Sequence, residues 1–154
     1  MTIVINREFN APLQRVWHAW TEEKDLTSWL TKKATVRAEL GGSYELFWEP
    51  ENPERNSTLG CKITALEPEK LLRFTWRGPP QYAHLMNVGD PPPTFVVVKF
   101  ENNNGMTKVH FEHDGWGEGK DWTNARSWQE KAWLGAFEQL TKMLSTEKMD
   151  RPHG

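Results

Sequence analysis

The densest run of side chains able to do chemistry is His110-Phe111-Glu112-His113-Asp114, whose composition is that of a metal site. On a β-strand, however, residues three apart point to opposite faces, so His110 and His113 cannot hold one ion together. No Cys or His pair elsewhere has zinc spacing, and no metal is expected. A second run, Gly115-Trp116-Gly117-Glu118-Gly119-Lys120-Asp121, has the outline of a phosphate loop. It lacks that loop's first glycine, because Asp114 stands five residues before Gly119. Asp121 also follows Lys120 where a Ser or Thr would hold magnesium, so nucleotide binding is not expected. There is no Gly-x-Ser-x-Gly elbow, and Cys61 lies on an inward strand position with no evident base beside it. Glu45 and Glu49 share an outward face, where carboxylates ordinarily serve solvation alone. These absences lead to the expectation of no catalytic residue and no cofactor, and enzyme activity is the less favoured reading.

What remains is binding chemistry. The inward-facing aromatics Tyr44, Trp48, Phe74, Trp76, Phe111, Trp133 and Phe137, with Val98 opposite Phe111, either line an apolar ligand pocket or fill an ordinary core. As a set they favour a pocket, with Trp29 and the loop residue Met86 near its mouth. His113 and Arg7 fall on the inward parity of their strands. A polar group facing an apolar interior must find a partner or lose about 1 to 3 kcal/mol. A ligand carbonyl or carboxylate could be that partner. So could backbone or a neighbouring hydroxyl for His113, and an acidic side chain or solvent for Arg7.

The elements that must position these residues follow from periodicity. Residues 2–9 alternate as a half-buried strand, with Ile3, Ile5 and Phe9 on one side. Leu13, Val16, Trp17 and Trp20 then share a helical face behind Pro12. Thr21 is positioned to cap a second short helix that carries Leu26, Trp29 and Leu30 on one side. Strands are expected at Thr35–Leu40, Ser43–Glu49, Leu59–Leu66 and Leu71–Arg77, the third with Leu59, Cys61, Ile63 and Ala65 facing one way. Residues Arg77–Pro93 hold five prolines and no clear periodicity, the composition of a lid or an interaction surface around Tyr82, His84, Leu85 and Met86. Phe95–Glu101 and Met106–Asp114 form a hairpin about Asn104-Gly105, so that Val96, Val98 and Phe100 oppose Val109, Phe111 and His113. Trp133, Ala136, Phe137, Leu140 and Leu144 mark one stripe of a terminal helix of roughly twenty residues.

At 154 residues the chain is expected to be a single domain over 1–154, with its core at about 2–146 and a short polar tail. The formal charge is −2, and the 19 basic residues are scattered, which disfavours nucleic acid and anionic membranes as partners. One cysteine and a start without an apolar signal segment make a cytoplasmic location the simplest expectation. No apolar run is long enough to insert in a membrane.

The order strand, two short helices, antiparallel strands, long helix is α+β. Together with Phe9-x-Ala11-Pro12-x-x-x-Val16-Trp17-x-Ala19-Trp20-Thr21, Leu26 with Trp29, Gly41-Gly42-x-Tyr44, Pro68-x-x-x-Leu72-x-Phe74-x-Trp76, Thr107-x-Val109-x-Phe111-x-His113-x-Gly115 and the late Trp133, it resembles the START-like (SRPBCC, helix-grip) superfamily. The branch it resembles is that of the C-terminal domain of the heat-shock protein 90 ATPase activator. The resemblance implies a curved antiparallel sheet wrapped around a long C-terminal helix, with two short helices between the first two strands. It also implies a cavity between sheet and helix that takes a hydrophobic or aromatic small molecule such as a lipid, sterol, polyketide or flavonoid. Two alternatives accompany that expectation. One is regulation of a chaperone ATPase by protein contact, ranked lower because the eukaryotic activators carry a further N-terminal domain. The other is a cyclase- or aromatase-like enzyme, for which only His113 and Tyr44 offer proton-moving groups.

Overall fold

Alternation at the N-terminus produces strand β1 (Ile3–Phe9), after which the two apolar helical faces become α1 (Leu13–Thr21) and α2 (Glu23–Trp29). A computed structural model describes the chain over residues 1–150 in backbone and 1–148 in side chains. Thr21 does not cap α2. It is the last residue of α1, and its hydroxyl donates to the Trp17 carbonyl at 3.0 Å, while the extended Glu22 opens the next helix. Arg15 of α1 binds Asp25 of α2 and Glu147 near the far end of the terminal helix, with N–O distances of 2.6 to 3.0 Å. These hydrogen bonds, Glu147 foremost, raise the guanidinium above its ordinary pKa and tie three helices at one point.

Strands β2 (Lys33–Val36) and β3 (Tyr44–Phe47) pair antiparallel. The expected strand Thr35–Leu40 is therefore displaced, because Arg37 to Gly42 folds into a hydrogen-bonded turn with Gly41 at φ +78° and Leu40 exposed. The next strand is also shorter than Leu59–Leu66. Gly60 at φ +85° and the exposed Leu59 belong to a turn, and β4 runs only from Ile63 to Glu67. Backbone bonds from Tyr44 to Cys61 and from Ile63 to Gly42 join the small β-pair to the main sheet.

Strands β5 (Leu71–Thr75), β6 (Phe95–Asn103) and β7 (Met106–Asp114) complete a five-stranded antiparallel sheet in the order β1-β7-β6-β5-β4. Asn104 and Gly105 both have positive φ, as a two-residue type I′ hairpin requires, and the register pairs Val96 with His113, Val98 with Phe111 and Phe100 with Val109. The terminal helix, here the fourth, is longer than expected. After a short third helix, α3 (Ala83–Met86), α4 spans Lys120–Asp150 and lays Ala125, Trp133, Phe137, Leu140 and Leu144 on the inner face of the sheet. Of the expected polar tail, residues 147–150 continue α4, and 151–154 lie outside the described residues.

The proline-rich connection is not an open excursion. Its backbone forms a 3-10 turn (Pro80–Tyr82) and α3, laced by Asn87 to Gly78 in both directions and by Arg77 to the carbonyls of Asn87 and Gly89. Met86 is fully buried beneath Gly78, where any Cβ would overlap its sulfur. It is thus core rather than a residue of a pocket mouth.

Candidate functional site

Two strand ends and one face of α4 create the candidate site. Trp76 follows β5 on the inner side, Trp48 follows β3, and α4 passes opposite with Trp128, Gln129 and Trp133. The small side chains of Ala132 and Ala136 leave room between them, and Arg77 with Gly78 and Pro79 forms the rim. The resulting cleft has a volume of about 280 Å³. Its walls are indole: Trp48 meets Trp76 edge-on at 5.9 Å, and Trp76 lies 4.9 Å from Trp133. A larger depression of about 910 Å³ lies near Arg7, Lys99 and His110, but it is an open saddle among charged side chains of the sheet. Its lesser openness and its indole walls make the cleft under α4 the better candidate for a ligand site.

Hydrogen bonds fix the indoles. Trp48 Nε1 donates to the Leu30 carbonyl at 3.0 Å, and Trp76 Nε1 donates to Oε1 of Gln129 at 3.2 Å. Behind the wall, Trp133 Nε1 donates to Nδ1 of His113 at 3.0 Å, while His113 Nε2 lies 3.0 Å from the Thr94 hydroxyl. An indole N–H can only donate, so Nδ1 is the unprotonated nitrogen and Nε2 carries the proton. Full burial of His113 pushes its pKa down to about 3. The imidazole is therefore neutral, and both its nitrogens are engaged. It has no free nitrogen to offer a ligand or to move a proton at the cleft.

Of the residues expected to line a pocket, Trp48, Trp76 and Trp133 do so. Tyr44, Phe74, Val98, Phe111, His113 and Phe137 are enclosed in the core instead. Their rings close the space that a curved sheet would leave: Tyr44 stacks on Phe74 at 3.9 Å, and Phe111 meets Trp133 and Phe137 at 4.6 and 5.3 Å. The Tyr44 hydroxyl donates to the Trp20 carbonyl at 2.6 Å, and burial raises its pKa well above the usual phenol value. Trp29 is not at the mouth. It packs edge-on against Trp20, and its N–H donates to the Ala19 carbonyl, which makes it part of the helix pair. Arg7 is not enclosed in the interior either: its side chain is exposed, and its guanidinium donates to the adjacent Asn6 carbonyl at 2.9 Å. His110 is half-exposed on the outer face while His113 is buried, the separation that strand parity demands. Burial pushes the Cys61 thiol up to about 11, away from the range of a reactive thiolate.

Sequence reasoning missed Arg77, Trp128 and Gln129. The signal was present for the helix pair, because Trp128 and Gln129 precede Ala132 and Trp133 by one helical turn.

A family model described as Activator of Hsp90 ATPase homolog 1-like protein matches residues 10–145. The chain belongs to that family. Solved structures similar to this Activator of Hsp90 ATPase homolog 1-like chain include protein MLL2253 from Mesorhizobium loti. It is 22% identical, with a TM-score of 0.75 over 95% of this chain and 98% of that one. The Aha1 dimer from Colwellia psychrerythraea is 19% identical, with a TM-score of 0.71 over 94% and 96%. An HSP90 activator from Plasmodium falciparum is 17% identical, with the same TM-score over 94% and 96%. Comparison with curated proteins finds no match. At these identities the structures share the fold, and the helix-grip architecture read from Phe9 through Trp133 is the one found. No helix among the described residues is long and apolar enough to cross a membrane.

Proposed function

We propose that the chain binds a hydrophobic or aromatic small molecule in the cleft between its sheet and α4. One observation carries this reading: Trp48, Trp76, Trp128 and Trp133 converge on a half-open space that the rest of the core does not fill. Burying an apolar ligand there gains roughly 25 cal/mol for each Å² removed from water, and edge-on indoles favour a flat partner. Its test is a titration of isotopically labelled protein with fatty acids, sterols and aromatic compounds, followed through indole and amide resonances. The expected shifts centre on Trp48, Trp76 and Trp133, and Ala132→Trp, which fills the cleft from an exposed helix position, abolishes them. If no compound moves those resonances, or if Ala132→Trp leaves the shifts intact, the reading fails.

A second reading, regulation of a chaperone ATPase, is supported by the family's description and by the Colwellia and Plasmodium relatives. It needs a protein-facing surface rather than a cleft. Stimulation of a chaperone's ATPase that persists in Ala132→Trp would favour it; absence of any stimulation by the wild-type chain would remove it.

A cyclase-like enzyme would require proton-moving groups at the same cleft. The two that the sequence suggested, His113 and Tyr44, sit behind its wall with their polar atoms already bonded.

A further inference from the structure

We infer that the cleft selects small aromatic ligands bearing an anionic, oxygen-rich end, a carboxylate above all, and reads that end with Gln129 and Arg77. This rests on the ligand-binding reading above and narrows it to a chemical class.

The argument begins with an assignment. Because the Trp76 indole can only donate, the Gln129 atom it meets at 3.2 Å is the carbonyl oxygen, and the amide nitrogen points elsewhere with both its N–H groups. That nitrogen has no partner among the described residues, although the Gln129 side chain is only 4% exposed and lines the cleft. Among the described residues Trp20 Nε1 alone is a fully sealed side-chain donor without a partner, so the Gln129 nitrogen keeps contact with open space and is free to donate to an acceptor in the cleft that Gln129 lines.

Arg77 supplies the charge. Two of its N–H groups donate to the carbonyls of Asn87 and Gly89 at 2.8 and 3.2 Å, which orient the guanidinium without neutralising it. No described carboxylate forms an ion pair with Arg77, and the cleft lining contains neither Asp nor Glu. The other polar groups add little that would suit a cation. Trp48 already donates to Leu30, the Ser57 hydroxyl donates to the Pro53 carbonyl, and only the Asn56 amide can serve as donor or acceptor. A guanidinium and an amide donor on residues that line one cleft suit the paired acceptors of a carboxylate.

Volume narrows the class further. At about 280 Å³ the cleft falls just below the roughly 300 to 1,000 Å³ typical of drug-sized sites. One or two fused rings fit that space, whereas a sterol or a long acyl chain exceeds it.

The experiment is calorimetric titration with 2-naphthoate and with its neutral counterpart 2-acetylnaphthalene. For the wild-type chain the acid is expected to bind about tenfold tighter than the ketone. Gln129→Glu keeps the acceptor for Trp76 but sets a negative charge in the cleft, and Arg77→Gln keeps a donor for Asn87 but removes the positive one. Each is expected to cut the acid's advantage to less than about threefold. Equal or tighter binding of the ketone by the wild-type chain overturns the inference and leaves the ligand-binding reading standing, and that comparison does not depend on either variant folding. An acid preference that survives both substitutions overturns it as well. If neither compound binds, the inference fails, and the panel titration described above decides the ligand-binding reading separately.

Discussion

Urea unfolding at a series of pH values is expected to show stability falling as the pH drops below about 6.5, with one histidine responsible for much of the slope. In the folded chain His113 is fully buried, and its Nδ1 must keep a lone pair to accept the Trp133 N–H. Its folded pKa is about 3 against an ordinary 6.5. Between these values the unfolded chain takes up a proton and the folded chain does not. The stabilising contribution is therefore complete above 6.5 and is lost as the pH falls through the window toward 3. The slope from this one group approaches 1.4 kcal/mol for each pH unit, or roughly 1.4 out of a typical total of 5 to 15 kcal/mol. His113→Gln provides the control, because an amide can accept from Trp133 and donate to Thr94 but does not titrate. It is expected to lower stability at neutral pH by about 1 to 3 kcal/mol while flattening the pH dependence between 6.5 and 4. A variant with the wild-type slope would show that other groups, not His113, confer the acid sensitivity.

Trp133→Ala is expected to produce the largest loss of stability of any single change at the site. The indole is 1% exposed and touches Trp20, Trp76 and Phe111, so truncation removes buried area and opens a cavity, at a cost of about 3 to 5 kcal/mol. It also leaves His113 Nδ1 without its donor. Trp133→Phe separates the two effects, because it retains one ring but not the N–H, and about 1 to 3 kcal/mol is expected from the unpaired nitrogen in addition to the smaller packing loss. Combined with His113→Leu, Trp133→Phe should cost clearly less than the sum of the single changes, since neither partner is then left alone. Equilibrium denaturation of the four proteins checks this, and strict additivity would deny the bond its role.

These two residues also show how far the sequence could be read. The inward parity of His113 on β7 followed from simple alternation, and Trp133 headed the apolar stripe of α4. Alternation reports which face a side chain takes, not whether the space before it is filled, so Tyr44, Phe74 and Phe111 read as pocket residues and turned out to be packed rings. Arg7 shares the parity of the buried Ile3, Ile5 and Phe9 yet is exposed, so parity alone did not report enclosure there either. The first half of α4 escaped notice for a different reason. It places an exposed tryptophan, Trp128, beside a buried polar residue, Gln129, which inverts the pattern that marks an amphipathic helix. That inversion coincides with the cleft, where Trp128 and Gln129 both border open space. Met86 was illegible because the proline-rich segment around it has no period from which burial could be inferred.

The chain of indoles running from the helix pair to the cleft has an optical consequence. Trp29 lies 4.8 Å from Trp20, Trp20 6.2 Å from Trp133, Trp133 4.9 Å from Trp76, and Trp76 5.9 Å from Trp48. At such spacings excitation absorbed by one ring is expected to pass to the next, so fluorescence from these five tryptophans should behave as that of a coupled antenna rather than of separate lamps. A quencher seated beside Trp48 or Trp76 is then expected to drain light absorbed as far away as Trp29. Emission from all five rings should thus report on the cleft, although only Trp48, Trp76 and Trp133 of them line it.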